Sequence, residues 1–523
     1  MYEKGGNAVD AAIAAAFVQC VLDPLNASIG GFGVAQIRPA GEPASQVVAF
    51  HGRAPSGARP EMFALIEAGG KGPLASGTYL VEGHTNQLGY LAPTVPGTIK
   101  GLTEILEGYG RLGLPTVLAP AIETAENGWI VTWDHWFDWT REPPEGRLDA
   151  LSRFMATPEA ARIYTRNGKL RDLGSRIVNP DYARTLRLIS TEGPESFYTG
   201  KIATIIHNDF GANGGLITST DLAQYHTESS PPLETTYRGY RITSSPPPAG
   251  GIVVLEILSL LEGFDLAAYR HNSAGYVHIV SEAMRIAFDD MNRYLGDPRY
   301  VNVPMAMLLD KAYAAECRTA IHPYRTGTVT ESSTLTGETT HVVAVDQDGT
   351  WVSITHSLGA ASGVVTPGLG FMFNGQMHRF DPVPGRPNSI APGKRRTTGM
   401  APTIIWKGNQ PRAVLGAVGG NSMIVGVVQV VLNLVNFGMD ALSAVSASRF
   451  HCEGGKISLE GRFPAATAAA LEQLGHSVEV QPFSYDRTLA GAVYAITNGD
   501  AKVGGAADPR QGGICLSSFH LTE

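Results

Sequence analysis

A change of pattern at residues 338 and 339 constrains the fold of this chain more than any other feature. Before it, apolar residues recur mainly at helical spacing, as in residues 98–200 and 278–297. From residue 341 onward the pattern is that of strands. The tract 321–338 is rich in Ser, Thr and Gly and has no apolar period, which predicts an exposed, mobile segment. Composition alone favours a plain linker between a helix-rich part and a strand-rich part.

A β-hairpin is predicted directly after this boundary, because Asp348-Gly349 stands between two apolar runs. A two-residue loop would pair residue 340 with residue 357. A three-residue loop with Gly349 in a left-handed conformation would instead pair residue 339 with residue 357. In the second register the Ser357 hydroxyl lies beside Thr339 on the same face of the sheet. The sequence leaves the register open, and a Thr/Ser cross-strand pair occurs in many ordinary sheets.

The bulk composition is that of a folded protein with a large core. Of the 523 residues, 43% are hydrophobic and only 17% are charged, so one big domain or two ordinary ones can form. The net charge of −8 argues against nucleic acid or an anionic membrane as the main partner. The strongest basic run, Lys394-Arg395-Arg396, is expected to be a solvated loop.

Neither a disulfide framework nor a membrane span is expected. The four cysteines are far apart and form no CxxC pair, so a zinc site is not expected either. The run 423–437 is too short to cross a bilayer and predicts a buried core helix. No signal peptide precedes the Ala-rich helical run at residues 7–21. We therefore expect a cytoplasmic protein, unless upstream sequence is missing.

Several motifs along the chain carry a family resemblance. They are GGNAVDAA (5–12), TTHVVAVDQDG (339–349), PGKRRTTGMAPTI (392–404), GAVGGNSM (416–423) and GAADPRQGG (505–513). In this order they resemble the gamma-glutamyltranspeptidases, which are N-terminal nucleophile hydrolases made as one precursor. The resemblance covers nearly the whole chain, and a chance match of all the motifs is not credible.

The resemblance implies a cut between Glu338 and Thr339, giving a large subunit of residues 1–338 and a small subunit of residues 339–523. It also implies an α+β fold, a four-layer αββα sandwich built from both chains. The two subunits would be partners of one another, and a larger homo-oligomer is left open.

The chemistry implied by the resemblance centres on Thr339. A free α-amine titrates at roughly 7.7–8.0 and can take the proton of the threonine hydroxyl, whereas an amide nitrogen within the chain cannot. Ser357 stands where the family keeps a hydroxyl near the nucleophile, and Gly419-Gly420 matches the glycines of its oxyanion hole. The expected partners are a small-molecule amide and a water or amine acceptor. No metal and no organic cofactor is expected.

The residues that would hold the carboxylate of a gamma-glutamyl donor depart from the family pattern. Typical members use an Arg and two serines for this carboxylate. Here His51 aligns with that Arg, and Arg53 follows two residues later. The two serines align with Thr398 and Gly399.

The residues that would hold the ammonium of the donor depart further. The family uses an Asn, a Gln or Glu, and an Asp. The Asn falls near Gly359, Gln376 is kept, and Arg379 replaces the Asp. A guanidinium repels an ammonium and prefers a carboxylate. Either Arg379 points to solvent, or the acyl donor carries an acidic or neutral group at this place.

Three functional hypotheses follow. The first is a self-processing amidohydrolase or acyltransferase whose acyl specificity has moved away from gamma-glutamyl. The second is a true gamma-glutamyltransferase and glutathione hydrolase, with Arg53 or other residues compensating. The third is an unprocessed scaffold without catalysis, which would have lost the nucleophile or the glycine pair. His341 and His356 are interpreted as structural, because an N-terminal nucleophile does not need them as bases.

Overall fold

The protein divides into two compact units that do not follow the chain boundary at residue 338. The computed structural model describes residues 1–66, 79–327, 338–482, 485, 487–499 and 503–517. Unit 1 comprises Met1–Gly41, Val47–Ser230 and Glu338–Arg396, and unit 2 comprises Glu42–Gln46, Pro231–Gly337 and Thr397–Glu523. Each unit therefore contains segments from both sides of Glu338. The mobile tract predicted at 321–338 falls largely on residues 328–337, which lie outside the described residues.

Unit 1 combines a group of helices with a mixed set of strands. Its helices are α1 (Ala8–Leu22), α2 (Thr98–Tyr109), α3 (Leu114–Asn127), α4 (Trp133–Thr140), α5 (Ala150–Phe154), α6 (Pro158–Tyr164), α7 (Pro180–Glu192), α8 (Glu195–Tyr198), α9 (Lys201–Ala212) and α10 (Ser219–Ala223). Its strands are β1 (Phe32–Arg38), β2 (Gln46–Phe50), β3 (Trp129–Ile130), β4 (Thr165–Arg166), β5 (Lys169–Leu170), β6 (Arg176–Ile177), β7 (Glu228–Ser230), β10 (Glu338–Val345), β11 (Trp351–Gly359), β12 (Ala361–Val365) and β13 (Met372–Asn374).

The main sheet of unit 1 has the strand order β10-β11-β1-β2-β7. The predicted hairpin of β10 and β11 is confirmed, and β11 pairs antiparallel with β1 on its other side. Every residue of β11 is buried, so this strand is an interior strand and its polar side chains need partners inside the protein.

Helix α1 packs against this hairpin and supports it. Asn7 caps the helix by accepting hydrogen bonds from the backbone N–H groups of Val9 and Asp10, which satisfies donors that a helix start leaves free. Its Ala-rich sequence allows close packing, and most of its residues are buried. The backbone N–H of Ala8 donates to the Asp346 carboxylate at 2.9 Å, which ties the helix start to the end of β10.

Unit 2 is built around a second sheet with the strand order β20-β19-β15-β14-β9-β8. Its strands are β8 (Leu233–Tyr237), β9 (Tyr240–Ser244), β14 (Thr403–Lys407), β15 (Gln410–Val418), β16 (Phe450–His451), β17 (Ile457–Leu459), β18 (Val478–Val480), β19 (Ala492–Asn498) and β20 (Val503–Ala506). Its helices are α11 (Gly251–Leu261), α12 (Ala274–Tyr294), α13 (Met305–Leu308), α14 (Lys311–Arg318), α15 (Ser422–Val435), α16 (Ala441–Ser446), α17 (Ala465–Gln473) and α18 (Arg487–Ala490).

The apolar run at 423–437 forms α15, and the prediction of a buried core helix is confirmed. Among the helices that the structure describes, none is both long and apolar enough to cross a bilayer.

Candidate active site

Thr339 lies at the start of β10 beside Ser357 of β11. The structure adopts the second of the two hairpin registers, because Thr340 pairs with His356. Gly349 has a φ of +91° in the turn, which a glycine adopts without strain. The Thr339 and Ser357 hydroxyl oxygens are 3.4 Å apart. Of the two registers that the sequence allowed, the structure therefore has the one that places these two hydroxyls together.

The Ser357 hydroxyl has a defined orientation. The backbone N–H of Gly359 donates to Ser357 Oγ at 2.6 Å, so Ser357 accepts there and keeps its own proton for another partner. The pairing of β10 with β11 shifts between Glu338 and Thr340, at Thr339 itself, and such irregularities re-aim a side chain. Only 4% of Thr339 and 1% of Ser357 are exposed. Hydrogen bonds in such buried surroundings are strengthened.

Two buried histidines hold the polar side chains of the hairpin. His356 Nε2 lies 2.9 Å from Thr340 Oγ and 2.8 Å from Gln19 Oε1. His341 Nδ1 lies 2.8 Å from Thr355 Oγ. Burial lowers the pKa of both imidazoles to about 3. Both rings are neutral at neutral pH and bonded within the sheet, which supports the structural interpretation of them.

These two histidines lead us to expect a loss of stability in mild acid. Their pKa is about 3 in the folded protein and roughly 6.5 in the unfolded chain. The unfolded chain therefore binds protons first, so the stabilisation is complete above pH ~6.5 and declines as the pH falls toward 3. Each histidine should lower the free energy of unfolding by about 2 kcal/mol between pH 7 and pH 5. Urea unfolding at a series of pH values measures this.

Two variants test the assignment of this effect. His356→Gln should reduce the change in the free energy of unfolding between pH 5 and pH 7 by the contribution of one histidine. His226→Gln should leave it unchanged, because His226 is exposed. A wild-type protein with equal stability at pH 5 and pH 7 would contradict the expectation.

Gln376 and the segment His51–Arg53 lie in one region of unit 1. A methyl group placed on Gly52 would come within 2.6 Å of Gln376 Nε2, so the glycine permits this close contact. His51 is buried, and the Arg53 guanidinium forms an ion pair with Glu228 at 2.9 Å. Arg53 is therefore held by a carboxylate of the protein, which weighs against its expected role as a compensating clamp for the substrate.

The expectation that Lys394-Arg395-Arg396 is a solvated loop is wrong. The exposed fractions of these residues are 3%, 5% and 7%. The Lys394 ammonium donates to the Ser389 carbonyl at 2.8 Å, and Arg395 forms an ion pair with Glu228 at 2.5 Å. The three long side chains turn inward because buried acceptors lie within their reach.

Arg379 is also buried, with 9% of its surface exposed. The alternative in which it points to solvent is therefore wrong. Next to it, Arg147 donates to His378 Nε2 at 2.7 Å, and His378 Nδ1 lies 2.5 Å from the Gly375 carbonyl oxygen. Burial, and then the charges of Arg147, Arg379 and Arg396, hold the pKa of His378 well below its usual range. Several guanidinium groups thus surround a neutral imidazole.

Some residues of the region around Gln376 and Arg379 were not predicted from the sequence. Arg147 and Glu228 lie far along the chain from the motifs, and no sequence pattern indicates them. Arg396 stands inside the motif at residues 392–404, and its position there was the one signal in the sequence that could have indicated it.

In unit 2 the structure brings Thr398-Gly399 and Gly419-Gly420 together. The two glycines turn the chain from β15 into α15 with φ values of +122° and +70°. The Ser422 hydroxyl donates to the Gly419 carbonyl at 2.5 Å and holds this turn. A methyl group on Gly399 would lie 2.2 Å from the Gly420 carbonyl oxygen, so position 399 needs glycine. Backbone N–H groups at the start of a helix favour negative charge.

One group of potential metal ligands occurs among the described residues, formed by His278, Glu282 and His476 of unit 2. Their donor atoms already have protein partners. His278 Nδ1 lies 2.6 Å from His476 Nε2, and the Glu282 carboxylate is paired with Arg285 and accepts from Thr326. The adjacent guanidinium also opposes binding of a cation.

Comparison with known proteins defines the family. The sequence model of gamma-glutamyltranspeptidase matches residues 1–517. The chain belongs to the gamma-glutamyltranspeptidase family. It is 37% identical to the acylase ACY 1 proenzyme of Pseudomonas sp. (strain SE83), over 96% of this chain and 88% of the relative. It is 32% identical to the glutathione hydrolase proenzyme of Escherichia coli (strain K12), over 97% of this chain and 87% of the relative.

The solved structure of cephalosporin acylase from Bacillus halodurans is similar with a TM-score of 0.83 and 30% identity, covering 98% of this chain and 91% of that one. The family resemblance and the fold class predicted from sequence, a mixed helix and sheet fold of the N-terminal nucleophile hydrolase type, are confirmed. The family is one of hydrolases and transferases, so this chain is an enzyme and the hypothesis of a non-catalytic scaffold is set aside.

Proposed function

We propose that the chain is a precursor that cuts itself between Glu338 and Thr339, and that Thr339 then cleaves a small-molecule amide whose acyl group is not gamma-glutamyl. The observation that carries the proposal is the 3.4 Å contact between the Thr339 and Ser357 hydroxyls at the start of β10. The proenzyme names of the relatives support it.

In the first stage, the Thr339 hydroxyl attacks the carbonyl carbon of Glu338. The C–N bond between the two residues breaks, the nitrogen takes the hydroxyl proton, and an ester remains. Water then hydrolyses the ester, which leaves a carboxylate on Glu338 and a free amine and hydroxyl on Thr339. Ser357, oriented by the N–H of Gly359 at 2.6 Å, is placed to hydrogen-bond the Thr339 hydroxyl during this step.

In the second stage, the free amine of Thr339 takes the hydroxyl proton while the oxygen attacks the substrate amide. The Thr339 ammonium formed in this way gives its proton to the substrate nitrogen as the C–N bond breaks, so an acyl-enzyme remains and the amine product leaves. Water or another amine then attacks the acyl carbon and loses a proton to the Thr339 amine, which passes it to the Thr339 oxygen as the ester bond breaks. The family resemblance assigns the backbone N–H groups of Gly419 and Gly420 to the oxyanion, and each such donor is worth roughly 2.7–4 kcal/mol in comparable enzymes.

The proposed acyl specificity depends on the charges near Gln376. Arg379 and Arg396 are both buried, and Arg396 Nε donates to Gln376 Oε1 at 3.2 Å. The ammonium of a gamma-glutamyl donor would be repelled by these guanidinium groups, whereas a carboxylate would be attracted. An acyl group with an acidic or neutral end therefore fits this region. The acylase relatives, one named for cephalosporin, are compatible with such donors.

A true gamma-glutamyltransferase and glutathione hydrolase is the second candidate, favoured by the name of the Escherichia coli relative and by the retained Gln376. Two p-nitroanilides separate the candidates. Glutaryl-p-nitroanilide differs from gamma-glutamyl-p-nitroanilide only by the missing α-ammonium group.

We expect kcat/KM for the glutaryl compound to exceed that for the gamma-glutamyl compound by at least about tenfold, the equivalent of roughly 1.4 kcal/mol. Release of p-nitroaniline, followed by absorbance, measures both. A preference of tenfold or more for the gamma-glutamyl compound would establish the second candidate and overturn the proposed shift in specificity.

A further inference from the structure

The turn formed by Gly419 and Gly420 has no side chains of its own to hold it. Glycine has more backbone freedom than any other residue, whereas donors stabilise an oxyanion only when their directions are fixed before the reaction. On one side, the Ser422 hydroxyl donates to the Gly419 carbonyl oxygen at 2.5 Å. Because the peptide bond is planar, this hydrogen bond also fixes the direction of the Gly420 N–H. The chain that follows Gly420 needs a second contact to hold it.

Asn421, the residue after the two glycines, makes such a contact with Glu453. Asn421 Nδ2 donates to Glu453 Oε2 at 3.2 Å, and only 4% of Asn421 and 5% of Glu453 are exposed. Both residues belong to unit 2. A hydrogen bond in such buried surroundings is strengthened, so it fixes the orientation of the Asn421 side chain.

The same contact keeps Asn421 out of a competing conformation. Asn421 directly precedes α15, and an asparagine at this position usually has an extended backbone and caps the helix with its side-chain oxygen. Here its φ is −72° and its ψ is −22°, and within the described part of the chain its side chain caps no backbone N–H of α15. Without Glu453, the Asn421 side chain would turn back and cap the helix. The accompanying backbone change would move the glycine turn, which offers little resistance.

Glu453 is itself held from its other side. His451 Nε2 lies 2.9 Å from Glu453 Oε1, and both side chains are buried. His451 belongs to β16, and Gln429 of α15 fastens this strand to the helix. Gln429 donates to the Phe450 carbonyl at 2.8 Å and accepts the Phe450 N–H at 3.2 Å. The Glu453 carboxylate therefore lies between a strand anchored on the middle of α15 and the residue at which α15 begins.

We infer that Glu453 is a positioning residue for the turn of Gly419 and Gly420, and that by holding Asn421 it keeps the N–H groups of the two glycines directed at the oxyanion. This inference rests on the proposed function, which assigns these N–H groups to the oxyanion. Glu453 does not touch the substrate in this role. Its loss should therefore lower the rate of the chemical step and leave substrate binding unchanged.

The test measures kcat and KM of Glu453→Ala and Asn421→Ala with the p-nitroanilide that the wild type hydrolyses faster, glutaryl or gamma-glutamyl. Complete removal of an oxyanion donor costs about 10²–10³-fold in kcat, and a displaced donor should cost less. We expect kcat to fall by about 10- to 100-fold in each variant, with KM within about twofold of the wild-type value. The intact mass gives the fraction of cut molecules, and kcat is expressed per cut molecule.

Two further variants distinguish positioning from a general loss of packing. Glu453→Gln keeps an oxygen that accepts from Asn421, so its kcat should stay within about threefold of the wild-type value. The double variant Asn421→Ala/Glu453→Ala should have a kcat within about threefold of the slower single variant, because both residues act through one hydrogen bond. A double variant in which the two single losses multiply would overturn the inference.

Asn433→Ala is the matched control. Asn433 is near the other end of α15 and is as buried as Asn421, and its side-chain amide donates to the Ala444 carbonyl at 2.9 Å. We expect a lower midpoint of urea unfolding in this variant but a kcat within about threefold of the wild-type value. A fall in kcat as large as that of Asn421→Ala would mean that any destabilisation of α15 slows the enzyme, and it would overturn the inference.

The possible failures are distinguishable. A wild-type chain that stays uncut, or that hydrolyses neither compound, would overturn the proposed function and this inference with it. A cut and active wild type, with Glu453→Ala and Asn421→Ala variants that keep its kcat, would overturn only the role of Glu453. If Glu453→Ala does not fold, the kcat of Asn421→Ala decides in the same way.

Discussion

Replacement of Thr339 by Ala should leave the protein as one uncut chain of 523 residues without amidase activity. The hydroxyl is required twice, first to attack the Glu338 carbonyl and then to attack the substrate. Without it no free amine arises, and the base that would activate a nucleophile is absent as well. Loss of such a group costs about 10⁴-fold or more in rate. Intact mass under denaturing conditions and p-nitroanilide hydrolysis are the two measurements.

Thr340→Ala is the matched control for this experiment. Thr340 is the next residue and is also a buried threonine, but its hydroxyl is bonded to His356 rather than to Ser357. We expect this variant to be cut between residues 338 and 339 and to remain active. Its free energy of unfolding should be lower than that of the wild type by about 1 kcal/mol. Thr339→Ser should also be cut, because it keeps the hydroxyl. A Thr339→Ala protein that is cut and active would refute the assignment of the nucleophile.

The second large effect is a loss of stability, which we expect from Asp508→Ala. Asp508 lies in the GAADPRQGG motif, and its side chain is fully buried between Arg449 and Arg510. It also accepts the backbone N–H of Val493 at 2.8 Å. Burial alone would raise its pKa, but the two guanidinium groups outweigh burial and lower the pKa of Asp508. Its removal leaves both arginines without this carboxylate and should cost about 3–5 kcal/mol in the free energy of unfolding.

Glu479→Gln provides the comparison for Asp508→Ala. Glu479 pairs with Lys456 at 2.6 Å, but both side chains are about half exposed. An exposed pair of this kind is worth only ~0–1 kcal/mol. The losses in the free energy of unfolding of the two variants, measured by urea unfolding, should therefore differ by several kcal/mol. Equal, small changes would mean that the buried network does not stabilise unit 2.

Much of the local structure could be predicted from the sequence. Helix α1, helix α15 and the hairpin of β10 and β11 lie where apolar spacing and the Asp-Gly turn place them. These features depend on neighbours in sequence, which a local pattern contains. The division into a helix-rich part and a strand-rich part did not extend to the compact units, because β11, which forms a hairpin with β10, pairs with β1 from the start of the chain. Sheet partners of this kind are distant in sequence.

The electrostatics near Gln376 were the least predictable part. A run such as Lys394-Arg395-Arg396 is normally solvated, and only the folded chain places Glu228 and the Ser389 carbonyl within reach of two of its members. Arg379 is likewise buried, and its charge acts on His378 together with that of Arg147, a residue from a distant part of the chain.

By itself, the sequence determined the family, the candidate nucleophile and the expected point of cleavage, because these are written in short motifs whose residues are adjacent along the chain. Only the tertiary structure decided the hairpin register that brings Thr339 to Ser357, the pairing of Arg53 with Glu228, and the burial of Arg396. The reason is physical, since a register depends on the conformation of its turn. The charge that a substrate meets depends on which distant side chains are buried together.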